Sequence, residues 1–66
     1  MTKVIAILNN TGQYLSKDEQ MDEFLLEGFT LYLEENGKQE LLATPDNGFI
    51  LARPKLTQIT TYNLKG

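Results

Sequence analysis

The sequence contains no cysteine, no histidine and no tryptophan. Without cysteine there is neither a disulfide framework nor a thiolate metal site, and without histidine the commonest ligand of transition metals is missing. Only carboxylates, lysine and tyrosine remain for proton transfer, and the chain has no glycine-rich phosphate loop or nucleophile elbow. We therefore expect a protein that is not an enzyme and that holds no cofactor and no metal.

Long hydrophobic runs are also missing, since the run "VIAIL" at residues 4–8 spans only five positions. A membrane span needs about 20 apolar residues, and a signal peptide needs a longer apolar region than this one. We expect a cytoplasmic protein with no membrane partner.

The content of 41% hydrophobic and 23% charged residues is that of a folded chain, and 66 residues predict a single small domain over 1–66. A core of this size gives little stability, to which a partner or a second copy can add.

Two short glycine turns, "ENGK" and "PDNG", lie about one strand apart. A two-residue type I′ turn at Asn36 and Gly37 predicts an antiparallel hairpin, and the second turn extends it to a three-strand meander over residues 29–53. The predicted register sets three pairs opposite each other, Glu35 with Lys38, Leu33 with Glu40, and Leu31 with Leu42. Tyr32 and Leu41 then share the second face, so both faces of the hairpin carry apolar groups.

The segment "SKDEQMDEFLLEG" carries the strongest helix signal. Ser16 is predicted to be the N-cap, with Glu19 completing a capping box. The spacing of three apolar residues indicates a stripe that faces the core, namely Met21, Phe24 and Leu25. Gly28 is expected to end the helix in a left-handed conformation, which gives a helix over about residues 17–27.

The remaining segments read mainly as strands. "VIAIL" is predicted to be a strand covered on both faces or nearly so, "NNTG" a turn with positive φ at Asn or at Gly12, and "QYL" a short returning strand. "FILAR" is predicted to be a strand that runs to Pro54, and residues 56–64 suit either a last strand or a short helix. The predicted class is α+β, a small antiparallel sheet of about four to five strands with one helix packed on one face.

Charge is distributed unevenly along the chain. Residues 1–48 hold nine acids and three bases, whereas residues 49–66 hold three bases and no acid. The acids of the helix, among them Asp18, Asp22 and Glu23, are interpreted mainly as a solvated face, with carboxylate pairs for a metal as the weaker alternative. Arg53 and Lys55 are the basic candidates, and a third base lies at Lys65.

The candidate interaction residues combine these charges with aromatic and apolar groups. They are Tyr32, Leu41, Asp18, Asp22, Glu23, Arg53, Lys55 and Tyr62. The leading hypothesis is a non-enzymatic protein–protein interaction or structural module, with self-association through a sheet edge or a hairpin face as one mode. The alternative is a small acidic inhibitor or regulator, of the phage or mobile-element type, that binds a basic surface on another protein. A second alternative is weak nucleic-acid binding through the C-terminal bases, which the net charge of −3 disfavours.

Overall fold

A computed structural model describes residues 2–56 of the chain. These residues form the strands β1 (Lys3–Leu8) and β2 (Thr11–Tyr14), the helix α1 (Glu19–Leu26), and the strands β3 (Thr30–Glu35), β4 (Lys38–Thr44) and β5 (Gly48–Phe49). The five strands make one sheet in the order β2-β1-β3-β4-β5, and every neighbouring pair is antiparallel. The predicted α+β class, with one helix and an antiparallel sheet, is confirmed.

The two hairpins with two-residue turns, β3–β4 and β1–β2, turn through residues with positive φ. Asn36 and Gly37 have φ of 55° and 79°, as the type I′ prediction requires, and Asn9 and Asn10 have φ of 50° and 67° between β1 and β2. The turn predicted in "NNTG" is confirmed, with positive φ at the two asparagines and not at Gly12. Gly12 lies inside β2, opposite Ile7.

Replacing Gly37 by alanine is expected to destabilise the fold by about 1–2 kcal/mol, because an L side chain is strained at this φ. No neighbouring atom lies within 4 Å of the added Cβ, so the cost is one of backbone conformation alone. Urea denaturation followed by circular dichroism measures it. Gly12→Ala is the control: its Cβ would lie 3.2 Å from Cδ1 of Ile5, a methyl group at the free end of a side chain. We expect it to remain within about 0.5 kcal/mol of the parent, and equal losses in both variants would contradict this account.

Helix α1 begins later than predicted, and the predicted capping box does not form. The Oε1 atom of Gln20, rather than Glu19, accepts the backbone N–H groups of Ser16 at 2.7 Å and Lys17 at 3.0 Å. Asp18 occupies the N-cap position with helical dihedral angles, and its side chain makes no capping bond. The glutamine amide thus takes the role predicted for Glu19, while the Ser16 hydroxyl donates to the same oxygen at 3.4 Å.

The end of α1 follows the prediction closely. Gly28 has φ of 99°, and its N–H donates to the carbonyl of Leu25 at 3.0 Å, while the N–H of Phe29 donates to Phe24 at 2.9 Å. These two bonds define a Schellman motif. Its usual apolar contact is present as well, because the rings of Phe24 and Phe29 meet edge to face with centroids 4.9 Å apart. The motif directs the chain from the helix straight into β3.

The core lies between α1 and one face of the sheet. Three strands (β1, β3 and β4), the helix and the loop before the helix contribute its buried side chains. These are Val4, Ala6, Leu15, Met21, Leu31, Leu42 and Ala43. Phe24 and Leu25 pack against this cluster, so the predicted apolar stripe of the helix is confirmed. In β1, Ile5 and Ile7 on the opposite face are only partly buried. The strand that was predicted to be covered on both faces or nearly so is thus fully covered on its core face and partly covered on the other.

The register of the β3–β4 hairpin departs from the prediction beyond its first pairs. Glu35 faces Lys38 and Leu33 faces Glu40 as expected, but Leu31 faces Ala43 instead of Leu42. The pairing shifts by one residue between Leu31 and Tyr32, because Leu42 is an extra residue in β4 and forms a β-bulge there. Because of it, both Leu42 and Ala43 are fully buried.

Strand β5 is much shorter than the predicted strand "FILAR". It ends at Phe49, and the N–H groups of Ile50 and Leu51 both point at the carbonyl of Leu42, at 2.8 and 3.4 Å. Two donors converging on the carbonyl of a bulge residue cannot continue a regular ladder, so the chain leaves the sheet there. The strand-or-helix prediction for residues 56–64 lies, apart from Leu56, outside the described residues.

Candidate functional site

The sheet has a second face that does not carry the helix. Cross-strand pairs place Ile5 beside both Tyr14 and Tyr32, and Tyr32 beside Leu41. Directly paired residues point to the same side of a sheet, and Ile7 lies two positions from Ile5. We call these side chains the open face, which consists of Ile5, Ile7, Tyr14, Tyr32 and Leu41.

The open face is apolar and accessible. Tyr14 is 53% exposed and Leu41 is 40% exposed, while Ile5, Ile7 and Tyr32 are partly buried by their neighbours in the sheet. The side chains of the core and those that pack against it come from the opposite face, from the helix, and from loop residues such as Leu15 and Leu56. Within residues 2–56, no helix or loop covers the open face. An antiparallel sheet with one solvated face usually carries polar residues there, so this composition is unusual for a surface exposed only to water.

A polar cluster borders one end of the open face. The hydroxyl of Tyr14 donates to Oε1 of Glu34 at 2.7 Å, and Nε2 of Gln39 donates to Oε2 of Glu34 at 3.4 Å. The ammonium group of Lys3 lies 5.6 Å from the centroid of the Tyr14 ring. These contacts hold the aromatic ring of Tyr14 across β1, so an aromatic surface is ordered before any partner binds.

The titration of this cluster reflects the same contacts. The hydrogen bond from Tyr14 holds the pKa of Glu34 below its usual value, and the bond from Gln39 and the charge of Lys3 act in the same direction. Donation to the Glu34 carboxylate in turn raises the pKa of the Tyr14 phenol. Glu34 is therefore a carboxylate and Tyr14 a neutral hydroxyl donor at neutral pH.

The charged candidates lie on the other side of the molecule, and the structure brings three of them together. The guanidinium of Arg53 binds Asp22 with two hydrogen bonds, at 2.9 and 3.0 Å, and it donates to the backbone carbonyl of Asp18 at 3.3 Å. It also lies 5.0 Å from the centroid of the Phe49 ring. The N–H of Leu56 donates to Oδ1 of Asp18 at 2.8 Å. We call residues 50–56 the strap, since these bonds fasten it across the start of α1.

The strap changes the interpretation of the charged candidates. Asp18, Asp22 and Arg53 were predicted as members of one candidate interaction surface, and in the structure they also contact one another within the chain. Glu23 and Lys55 are exposed, and Tyr62 lies outside the described residues. Within residues 2–56 there is no group of three or more acidic, cysteine or histidine side chains arranged to hold a metal ion.

Removing the Arg53 charge is expected to raise the pKa of Asp22 toward its ordinary value of about 3.9. The guanidinium beside it lowers this pKa, first through the hydrogen bond and then through its charge. Because the folded-state pKa is depressed, the pair stabilises the fold above about pH 3.9 and loses this effect as the pH falls through the lower value. An NMR titration of the Asp22 carboxyl in Arg53→Gln measures the change. Lys55→Gln removes the neighbouring exposed cation as a control, and an equal rise there would refute the specific pairing.

Ile5, Ile7 and Tyr14 were not among the sequence candidates, although Tyr32 and Leu41 were. The signal was available in "LNNT": the rule that set the register from Asn36 and Gly37 also sets Ile5 opposite Tyr14 across Asn9 and Asn10. What the local pattern does not contain is the pairing of β1 with β3, which joins both hairpins into one surface.

No protein-family model, no curated protein and no solved structure matches the chain. In the part of the chain that the structure describes, no helix has the length and apolarity needed to cross a membrane. The functional assignment therefore depends on the geometry of the surfaces described above.

Proposed function

We propose that the chain is a non-enzymatic protein-interaction module that binds its partner through the open face. The observation that supports this is the apolar surface shared by four neighbouring strands, which no element within residues 2–56 covers. Burying apolar area contributes about 25 cal/mol per Å² and is the main favourable term in most protein associations. Two of the side chains are tyrosines, which are enriched in interfaces because they combine large apolar area with a polar hydroxyl.

The open face is favoured over the acidic helix as the contact surface. Asp22 already binds Arg53, and the carboxylate of Asp18 accepts the N–H of Leu56, so both are engaged within the chain. An acidic regulator would have to use the other helix acids, such as Glu23. The pairing of Arg53 also weakens the nucleic-acid alternative, because the guanidinium that would contact phosphate is neutralised by a carboxylate.

A matched pair of leucine substitutions tests this proposal. Leu41→Glu places a charge in the open face, whereas Leu26→Glu makes the same change on the helix, where Leu26 is 89% exposed. Affinity capture from the extract of the native cell, read by mass spectrometry, should yield a set of proteins that Leu41→Glu loses and Leu26→Glu keeps. Circular dichroism first establishes that both variants are folded.

A third variant, Glu23→Lys, tests whether the acidic face of the helix is the contact surface instead. Partners lost by Glu23→Lys and kept by Leu41→Glu would show that the acidic helix is the contact surface and would contradict the proposal. Partners kept by all three variants would place binding elsewhere, and this outcome contradicts it equally.

A further inference from the structure

We infer that the open face binds a second copy of the chain, face to face about a two-fold axis that runs along the strands between β1 and β3. This inference rests on the proposed function of the open face, and it names the partner. The product is a two-sheet sandwich in which each copy contributes one apolar layer and each helix lies outside.

The distribution of charge favours a second copy as the occupant. The chain carries a net charge of −3, so most of its surface would repel a copy of itself. The open face differs, because the charges at its border are one lysine, Lys3, and one glutamate, Glu34. The helix acids, such as Asp22 and Glu23, belong to the layer on the opposite side of the sheet. Two sheets that pack face to face lie about 10 Å apart, and the helices lie beyond them on both sides. The two acidic layers are then separated by more than the Debye length of about 8 Å at physiological ionic strength.

The register of the sheet makes the open face complementary to itself under this symmetry. Among the four strands that form it, β1 and β3 are central and β2 and β4 are outer. Rotation about an axis between the central strands exchanges β1 with β3 and β2 with β4. Lys3 and Glu34 are paired across β1 and β3, so Lys3 of one copy faces Glu34 of the second copy, and this occurs twice. A contact of this kind is isologous, as in most homodimers.

The apolar row in the middle of the face matches in the same way, while Ile7, which is paired with Thr30 across β1 and β3, faces Thr30 of the second copy. Tyr14, Ile5, Tyr32 and Leu41 form one row across the four strands. The rotation places Ile5 opposite Tyr32 of the second copy, and Tyr14 opposite Leu41 of the second copy. Each contact in this row therefore joins an aromatic ring to an aliphatic side chain, without a like charge on either side.

The area of the open face indicates how stable the proposed dimer should be. Four strands spaced by about 4.8 Å and about six residues long give a footprint of roughly 20 by 20 Å, or about 400 Å² for each copy. Stable interfaces bury about 800 Å² for each partner, so we expect a weak dimer that forms with rising concentration.

Sedimentation equilibrium of the full chain, from about 1 µM to about 1 mM, tests the inference. A monomer–dimer equilibrium is expected, with association weakened at least about tenfold in Leu41→Glu and unchanged in Leu26→Glu. A single monomer over the whole range would overturn the inference. The proposed function would then still be judged by the capture experiment, because that experiment does not require self-association.

A mixing experiment tests the two-fold axis itself. Lys3→Glu and Glu34→Lys each set like charges opposite one another across the interface, so each variant alone should associate at least about tenfold more weakly than the parent. In a dimer of one variant with the other, both contacts again join a carboxylate to an ammonium group, which should restore association to near the parent value. Damage to contacts within one copy, such as the bond from Tyr14 to Glu34, would not be repaired by mixing. A mixture that stays as weak as its components would therefore overturn the arrangement.

Discussion

Replacing Leu31 by alanine is expected to leave most of the chain unfolded at room temperature. Leu31 is fully buried in β3, between Ala6 of β1 and Ala43 of β4, and it belongs to the same core cluster as Met21 of the helix. Truncating a buried leucine removes apolar contacts and leaves a cavity, at a cost of about 2–5 kcal/mol. A single core in a domain of this size rarely supplies more than about 3–5 kcal/mol, so the loss is comparable to the whole free energy of unfolding. Urea denaturation followed by far-ultraviolet circular dichroism measures the change.

Leu26→Ala is the control for this experiment, because it removes the same atoms from a side chain that is 89% exposed. Alanine also has the higher helix propensity, so the variant should remain within about 0.5 kcal/mol of the parent. Similar losses in both variants, or a Leu31→Ala protein as stable as the parent, would show that the core does not lie between α1 and the sheet as described.

The β3–β4 hairpin shows how far turn chemistry predicts a register. Positive φ at Asn36 and Gly37 sets the pairs nearest the turn, and these pairs were predicted correctly. The prediction fails at Leu31, because three apolar residues in succession, Leu41, Leu42 and Ala43, do not indicate which one is extra. Packing decides this: the bulge buries both Leu42 and Ala43 and leaves Leu41 on the open face.

The two ends of α1 also differ in how well the local sequence predicts them. The C-terminal end depends on Gly28 and on a contact between Phe24 and Phe29, all of which are close in sequence, and it was predicted correctly. At the N-terminal end, Gln20 accepts the local N–H groups in place of Glu19, and the carboxylate of Asp18 accepts an N–H from Leu56, 38 residues away. A local pattern contains no information about such a bond.

The open face was predictable only where it depends on pairing within one hairpin. Tyr32 and Leu41 follow from alternation within one hairpin, and the other members of the open face follow from the second hairpin once β1 and β3 are known to pair. The opposed charges of Asp22 and Arg53 were visible as a difference between two segments of the chain. Their direct contact was not, because it depends on the strap leaving the sheet at the bulge.

The short side chain of Ala6 is a requirement of the core, and Ala6→Leu is expected to destabilise the fold by about 1–3 kcal/mol through overpacking. Ala6, Leu31 and Ala43 form one row across the three central strands, so small, large and small side chains alternate beneath the helix layer. All three are fully buried, which leaves no space for a larger group at Ala6 without moving Leu31 or the helix. The midpoint of urea denaturation measures the effect. Ala52→Leu makes the same change at an exposed position of the strap and should alter stability by no more than about 0.5 kcal/mol.

The same variant separates the core from the open face. Ile5 and Ile7 flank Ala6 in β1 but point to the opposite side of the sheet, so Ala6→Leu leaves the open-face side chains unchanged. Its folded fraction should therefore associate as the parent does, within about twofold, whereas Leu41→Glu should lose association while retaining its stability. Sedimentation and denaturation of both variants, under the same conditions, measure the two effects independently. A loss of association in Ala6→Leu that exceeds its unfolded fraction would mean that the two faces are coupled, and that the interface is not formed by the open face alone.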